Sequence, residues 1–91
     1  MKNILITGAS RGIGAAAARA LSDNGNKIFI NYKTNREKAE ALASEIGGTA
    51  VRADVSDSVQ VKNMVSYINS LCGGIDVLIN NAGIASFSVF D

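Results

Sequence analysis

A chain of 91 residues can form one small domain, and its core must be thin because short chains bury a smaller share of their surface. Hydrophobic residues at 47% and charged residues at 19% give the balance of a soluble globular protein and exclude a disordered segment. Nine Lys and Arg against eight Asp and Glu leave a net charge of +1, so no broad field gathers nucleic acid or a membrane surface, and any bound anion must be held locally.

In chain order, Lys2 to Thr7 is an apolar run ending at Gly8, which predicts a first strand. Its core, Ile4-Leu5-Ile6, is too short for a signal-peptide core or a membrane span, and no other stretch approaches the roughly 18 apolar residues a span needs. Ile13, Ala16, Ala17, Ala20 and Leu21 then recur at the spacing of one helix face, and Asn24-Gly25 supplies a stop. Lys27 to Tyr32, carrying Ile28, Phe29 and Ile30, predicts the second strand. Thr34 with Glu37 makes a capping box, Ala39, Leu42, Ala43 and Ile46 form the apolar stripe of a second helix, and Gly47-Gly48 ends it.

Thr49 to Ala53 reads as the third strand, and Ser56 as the N-cap of a helix whose buried face is Val61, Met64, Val65, Ile68, Leu71 and Cys72. Gly73-Gly74 closes that helix. Ile75 to Asn80 is the fourth strand, and its continuous core Val77-Leu78-Ile79 is of the kind covered on both faces. Ile84 to Asp91 shows no clear period, so residues 83–91 read as a loop or frayed end. The order βαβαβαβ predicts an α/β fold, a partial Rossmann-type doubly wound parallel sheet of four strands with right-handed crossovers. Residues 1–91 read as a single partial domain of this type. The single Cys72 is expected to be a buried reduced thiol, which fits a cytoplasmic home, and a chain without His or a Cys cluster offers no zinc or redox-metal site.

The chemistry gathers at the strand ends. Thr7-Gly8-Ala9-Ser10-Arg11-Gly12-Ile13-Gly14 joins the first strand to the first helix. A glycine turn placed there lets the backbone approach a pyrophosphate, whose charge the helix's free N–H groups and positive dipole end stabilise. The bland alternative is a turn that uses Gly only for positive φ. No Lys-Ser or Lys-Thr follows the last Gly, so the turn is not a P-loop and hydrolysis of ATP or GTP is not expected. The spacing is T-G-x-x-x-G-x-G. With Asp54-Val55 after the third strand and Asn80-Asn81-Ala82-Gly83 at the end of the fourth, it resembles the short-chain dehydrogenase/reductase family over essentially the whole chain.

The resemblance implies that Gly8, Ser10, Arg11, Gly12, Ile13 and Gly14 wrap the diphosphate and adenosine ribose of a nicotinamide dinucleotide. It implies that Asp54 and Val55 flank the adenine, with the Asp54 carboxylate accepting from its amino group. Asn81, Ala82 and Gly83 would line the cofactor's ribose, while Asn80 ties neighbouring strands. The choice between NAD and NADP is made at the end of the second strand, where an acidic residue would repel a 2′-phosphate. Asn31-Tyr32-Lys33 holds no carboxylate there, and Lys33 and Arg11, with Arg36 as a further candidate, offer cations. NADP (NADPH) is therefore expected over NAD. The alternative is that Lys33 and Arg36 are ordinary solvated charges at a helix start.

Members of the family carry a downstream Ser and a Tyr-x-x-x-Lys pair, and neither Tyr32 nor Tyr67 is followed four residues on by Lys. No catalytic residue is assigned, and the chain reads as the first part of a longer reductase, inactive by itself. That parent is expected to be an NADP-dependent oxidoreductase acting on a small-molecule or carrier-linked carbonyl. The TGASRGIG turn and the Asn31-Tyr32-Lys33 stretch look most like 3-oxoacyl-(acyl-carrier-protein) reductases of fatty acid metabolism, and the resemblance implies a homo-oligomer for the parent. The competing readings are a non-catalytic dinucleotide-binding or regulatory module, and a tail from Phe87 to Phe90 that serves as an interaction segment.

Overall fold

Alternate residues of the short apolar runs are buried on opposite faces of one sheet, and the helices divide accordingly. The computed structural model describes residues 1–9 and 12–81. In order they form β1 (Asn3–Thr7), α1 (Gly12–Ser22), β2 (Lys27–Tyr32), α2 (Arg36–Ile46), β3 (Thr49–Arg52), α3 (Ser58–Cys72) and β4 (Val77–Asn80). The strands make a parallel sheet in the order β3-β2-β1-β4, with Leu5 opposite Phe29 on one side and Leu78 on the other. Ile4, Ile6, Ile28 and Ile30 pack beneath α1 and α2 with Ala15, Ala18 and Leu42. Leu5, Phe29 and Val51 face the other way, onto Met64 and Ile68 of α3. Helices on both faces of a parallel sheet give the doubly wound architecture that the alternation of elements predicts. Each fully buried Leu, Ile or Phe contributes about 1.5–3 kcal/mol, so these two small layers hold the domain together.

The helix faces depart from the sequence expectation in instructive ways. In α1 the buried residues are Gly14, Ala15 and Ala18. Ala17 and Leu21 only border the core, Ala16 and Ala20 are exposed, and Ile13 is 81% exposed. The smallest side chains face the sheet because the helix lies close to it, and Ile13, in the first turn, projects past the end of the sheet. In α3, Val61, Met64 and Ile68 are buried as expected, but Val65 is only half-buried, Leu71 is exposed and Cys72 is half-buried, its thiol donating to the Gly74 carbonyl at 3.3 Å.

Both predicted N-caps are displaced by one residue. The cap of α2 is Asn35, whose carbonyl accepts from the Ala39 N–H, while the Thr34 carbonyl accepts from the Arg36 N–H in a tighter turn. The cap of α3 is Asp57, whose Oδ1 accepts from the N–H groups of Val59 and Gln60 at 2.9 and 3.4 Å. Ser56 is engaged elsewhere, its hydroxyl donating to Asp54 Oδ1 at 2.7 Å. A carboxylate also suits the positive end of a helix better than a hydroxyl does. The strands are shorter than the apolar runs: β3 stops at Arg52 and β4 begins at Val77, two residues after Ile75. Among the described residues β4 lies at the sheet edge, paired only with β1, and Val77, Leu78 and Ile79 are partly buried. No helix among them is long and apolar enough to cross a membrane.

Candidate functional site

In a parallel sheet all strands end on one side, and here those ends enclose a groove of about 700 Å³. The turn after β1 contributes Gly8, the start of α1 contributes Gly12 and Ile13, the segment after β2 contributes Lys33, the segment after β3 contributes Asp54 and Val55, and Asn81 follows β4. These are seven of the twelve residues singled out in the sequence. Gly14 is an eighth with a described position, and Ser10, Arg11, Ala82 and Gly83, like the segment 83–91, lie outside the described residues.

The floor of the groove is a tie between the first and last strands. Thr7, fully buried at the end of β1, donates from Oγ1 to Asn80 Oδ1 at 3.0 Å and accepts from the Asn81 N–H at 3.0 Å. Asn80 therefore joins the two strands, as its position in the sequence suggests. Asn81 Nδ2 in turn donates to the Gly8 carbonyl at 3.0 Å, clamping the turn after β1. Gly14 packs beneath this clamp and does not line the groove. A Cβ at Gly14 would stand 2.5 Å from Asn81 Nδ2 and 2.9 Å from Ala9 Cα, so only glycine lets α1 approach the strand ends. Gly12, the first residue of α1, has φ +65°, and its neighbourhood is open, so its backbone conformation is what requires glycine. The early N–H groups of α1 have no partners within the helix, and its positive dipole end opens towards the groove, a combination suited to a phosphate.

At the end of β2, Asn31 is 2% exposed, and its side-chain amide donates to the Ala53 carbonyl at 3.0 Å and the Val51 carbonyl at 3.4 Å. It fastens β2 to β3, a role the sequence reading did not assign. The signal was there, an amide in the otherwise apolar run Ile28-Phe29-Ile30. From Asn31 to Asn35 there is no carboxylate, and among the described residues Lys33 is the cation at the groove. Its Nζ lies 3.5 Å from Asp54 Oδ2, with the lysine side chain 62% exposed and the aspartate 25%. Arg36 is turned away onto Glu40 of its own helix, at 3.1 Å, and does not line the groove.

Asp54 Oδ1 accepts from the hydroxyl and the N–H of Ser56, at 2.7 and 3.0 Å. Those two bonds, with the attraction of Lys33, hold its carboxyl below the usual aspartate range against the opposing effect of desolvation. At neutral pH the groove therefore presents a carboxylate that can only accept hydrogen bonds. Gln60 also escaped the sequence reading: its Oε1 accepts from the Asp54 N–H at 2.9 Å. Asp57 and Gln60 have the spacing of a capping box, which is the pattern that could have revealed it.

Comparison with known proteins bears on what such a groove holds. Residues 2–91 match the family described as short chain dehydrogenase. The 3-oxoacyl-(acyl-carrier-protein) reductase FabG of Staphylococcus aureus is 44% identical over 88 residues, 91% of this chain and 36% of the relative. A double variant of a Serratia marcescens short-chain dehydrogenase/reductase superposes with a TM-score of 0.83 at 36% identity, covering 96% of this chain and 38% of that one. BdcA of E. coli, solved in complex with NADPH, gives a TM-score of 0.79 at 39% identity, covering 96% of this chain and 34% of that one. The chain thus spans about a third of the length of the relatives it matches.

Proposed function

The chain belongs to the short-chain dehydrogenase family, and from that premise we propose that it is the dinucleotide-binding part of an NADP(H)-dependent oxidoreductase whose whole protein reduces a carbonyl of the 3-oxoacyl class. The observation that carries the cofactor reading is the end of β2, where Lys33 stands at the groove and the segment from Asn31 to Asn35 holds no carboxylate. A 2′-phosphate there gains a charge-assisted hydrogen bond, whereas an acidic residue would repel it. The NADPH complex of BdcA supports the same cofactor, and the likeness to a 3-oxoacyl reductase supports the substrate class.

The residues present fit such a group. Gly14 brings α1 against the strand ends, Gly12 opens the helix in a conformation that leaves the backbone bare, and the groove has room for the adenosine half of a dinucleotide. When bound, the cofactor supplies a nicotinamide that passes hydride. Gly8, Gly12 and Ile13, with Ser10 and Arg11, receive the diphosphate and adenosine ribose, and Gly14 sets the position of the helix behind them. Asp54 accepts from the adenine amino group, and Val55 covers the ring. Asn81, with Ala82 and Gly83, lines the ribose nearer the nicotinamide. Residues 1–91 form one such binding unit in this reading.

Calorimetric titration of the protein with NADP+ and NAD+, repeated on Lys33→Ala, tests the assignment. NADP+ is expected to bind more tightly, and the substitution to remove about tenfold of its affinity, as for loss of one hydrogen bond between charged groups, while NAD+ is little affected. Equal affinities, or an indifferent Lys33→Ala, would overturn it. Consumption of NADPH by the whole protein with a 3-oxoacyl thioester tests the substrate class.

A further inference from the structure

Two side chains outside the groove join the segments that form its phosphate end. Arg52, the last residue of β3, donates from Nε to the Lys33 carbonyl at 3.2 Å and from Nη1 to Gln60 Oε1 at 2.9 Å. The same Oε1 accepts the Asp54 N–H at 2.9 Å, and Gln60 Nε2 donates to Asp57 Oδ2 at 3.1 Å. The other oxygen of Asp57 caps α3. One guanidinium and one amide therefore connect the chain after β2, the chain after β3 and the first turn of α3. Neither Arg52 nor Gln60 lines the groove.

We propose that Arg52 and Gln60 are positioning residues that fix the placement of Lys33 relative to Asp54 and thereby strengthen the preference of the groove for a 2′-phosphorylated adenosine. The proposal rests on the NADP(H) reading above. Lys33 is a long, largely exposed side chain, and holding its ammonium at one place costs rotamer entropy. What can be fixed cheaply is the backbone it springs from. The planar fork of arginine reaches two acceptors at once, and Arg52 uses it to pin the Lys33 carbonyl to Gln60, whose single oxygen also holds the Asp54 N–H. The lysine and the aspartate are thereby referred to one common point on α3. Loss of either side chain releases the Lys33 backbone from that point, so the two act as a unit.

The test compares affinity for adenosine 2′,5′-bisphosphate with that for adenosine 5′-monophosphate, by calorimetry, in wild type, Lys33→Ala, Arg52→Ala, Gln60→Ala and the Arg52→Ala/Gln60→Ala double variant. The ratio of the two affinities isolates the 2′-phosphate, and monophosphate binding reports that each variant is folded. Wild type is expected to prefer the bisphosphate and Lys33→Ala to lose that preference. Arg52→Ala and Gln60→Ala are each expected to lower the ratio about threefold or more, with the double variant no worse than the singles because the pair is coupled. Arg52→Lys, which keeps the charge but cannot reach both acceptors at once, lowers the ratio as Arg52→Ala does and decides the matter if Gln60→Ala fails to fold, whereas an unchanged ratio in Arg52→Lys would overturn the positioning role. If Arg52 acted only as a nearby charge, its effect would fade between about 0.05 and 0.5 M salt and Gln60→Ala would have none, which would overturn the proposal. A preference that depends on Lys33 but ignores Arg52 and Gln60 would overturn the positioning role and leave the NADP(H) reading standing. A wild type without preference would overturn both.

Discussion

Lys33 Nζ sits 3.5 Å from Asp54 Oδ2, so the cation at the end of the second strand rests on the carboxylate at the end of the third. The pair extends the join between the two segments one residue beyond the backbone bond from the Ala53 N–H to the Tyr32 carbonyl. The Asp54 carboxyl is held below its ordinary value of 3.8 first by the Ser56 hydroxyl, then by the Ser56 N–H and the lysine, with desolvation opposing. A carboxyl whose folded-state pKa is depressed contributes stability that is complete above the unfolded value and is lost as pH falls through the folded one.

Asp54→Asn is therefore expected to lower the melting temperature near neutral pH and to converge on wild type as pH falls through the depressed folded-state pKa of Asp54, where both lack the charge. Thermal melts of the two proteins across that range measure the difference. A gap that stays constant down to the lowest pH would show that the charge of Asp54 contributes nothing to stability.

Gly14→Ala is expected to destabilise the domain by about 1–3 kcal/mol, the usual range for overpacking. The new Cβ would meet Asn81 Nδ2 and Ala9 Cα, and the second is backbone that cannot swing aside. Denaturant unfolding reads the loss, and pairing it with Asn81→Ala should recover only part of it. Full stability in Gly14→Ala would mean that α1 can stand farther from the sheet than it does here.

Thr7→Val keeps the shape of a fully buried side chain while removing both of its bonds to the β4 end. The Asn80 side-chain oxygen and the Asn81 N–H then lose their partner, at a cost of about 1–3 kcal/mol for the unsatisfied groups. The same substitution should speed amide exchange at Asn81 and along β4 more than along β2. Uniform exchange over the sheet would contradict the local tie.

Asp57→Ala is expected to cost about 1 kcal/mol as the loss of an N-cap, and helical content near α3 should fall with it. Ser56→Ala removes no cap bond from α3, so its effect should appear instead in the acid limb of stability, through Asp54. The two variants exchanging these signatures would restore Ser56 as the cap.

The architecture was legible because four short apolar runs alternate with three helical stretches, and that alternation admits few folds. Legibility failed where the decisive contact comes from another element. Alanine is too weakly apolar to mark the inward face of α1, so the face read from Ile13, Ala16, Ala17, Ala20 and Leu21 is not the one that packs on the sheet, where Gly14, Ala15 and Ala18 are buried and Ile13 is exposed. Asp54, Ser56 and Asp57 form a run of polar residues that could each cap a helix, and competition for the Ser56 hydroxyl decided the outcome. At the groove, the strand-end residues were visible as motifs. Asn31 and Gln60 were not, because their partners are a carbonyl and an N–H that only the folded sheet brings near.

The clasp at the ends of β1 also has a schedule. The Thr7–Asn80 bond joins residues 73 apart in sequence, and of the two neighbouring strands that it ties, β1 is made before β4. At roughly 5–20 residues per second of synthesis, β1 waits several seconds on the ribosome with one edge open before its partner emerges. During that interval it can pair only with β2, and the anion-holding turn after it lacks the Asn81 clamp. The groove thus comes into being last, with the arrival of β4, and until then the nascent chain carries an unpaired apolar strand edge that any neighbouring chain could take up.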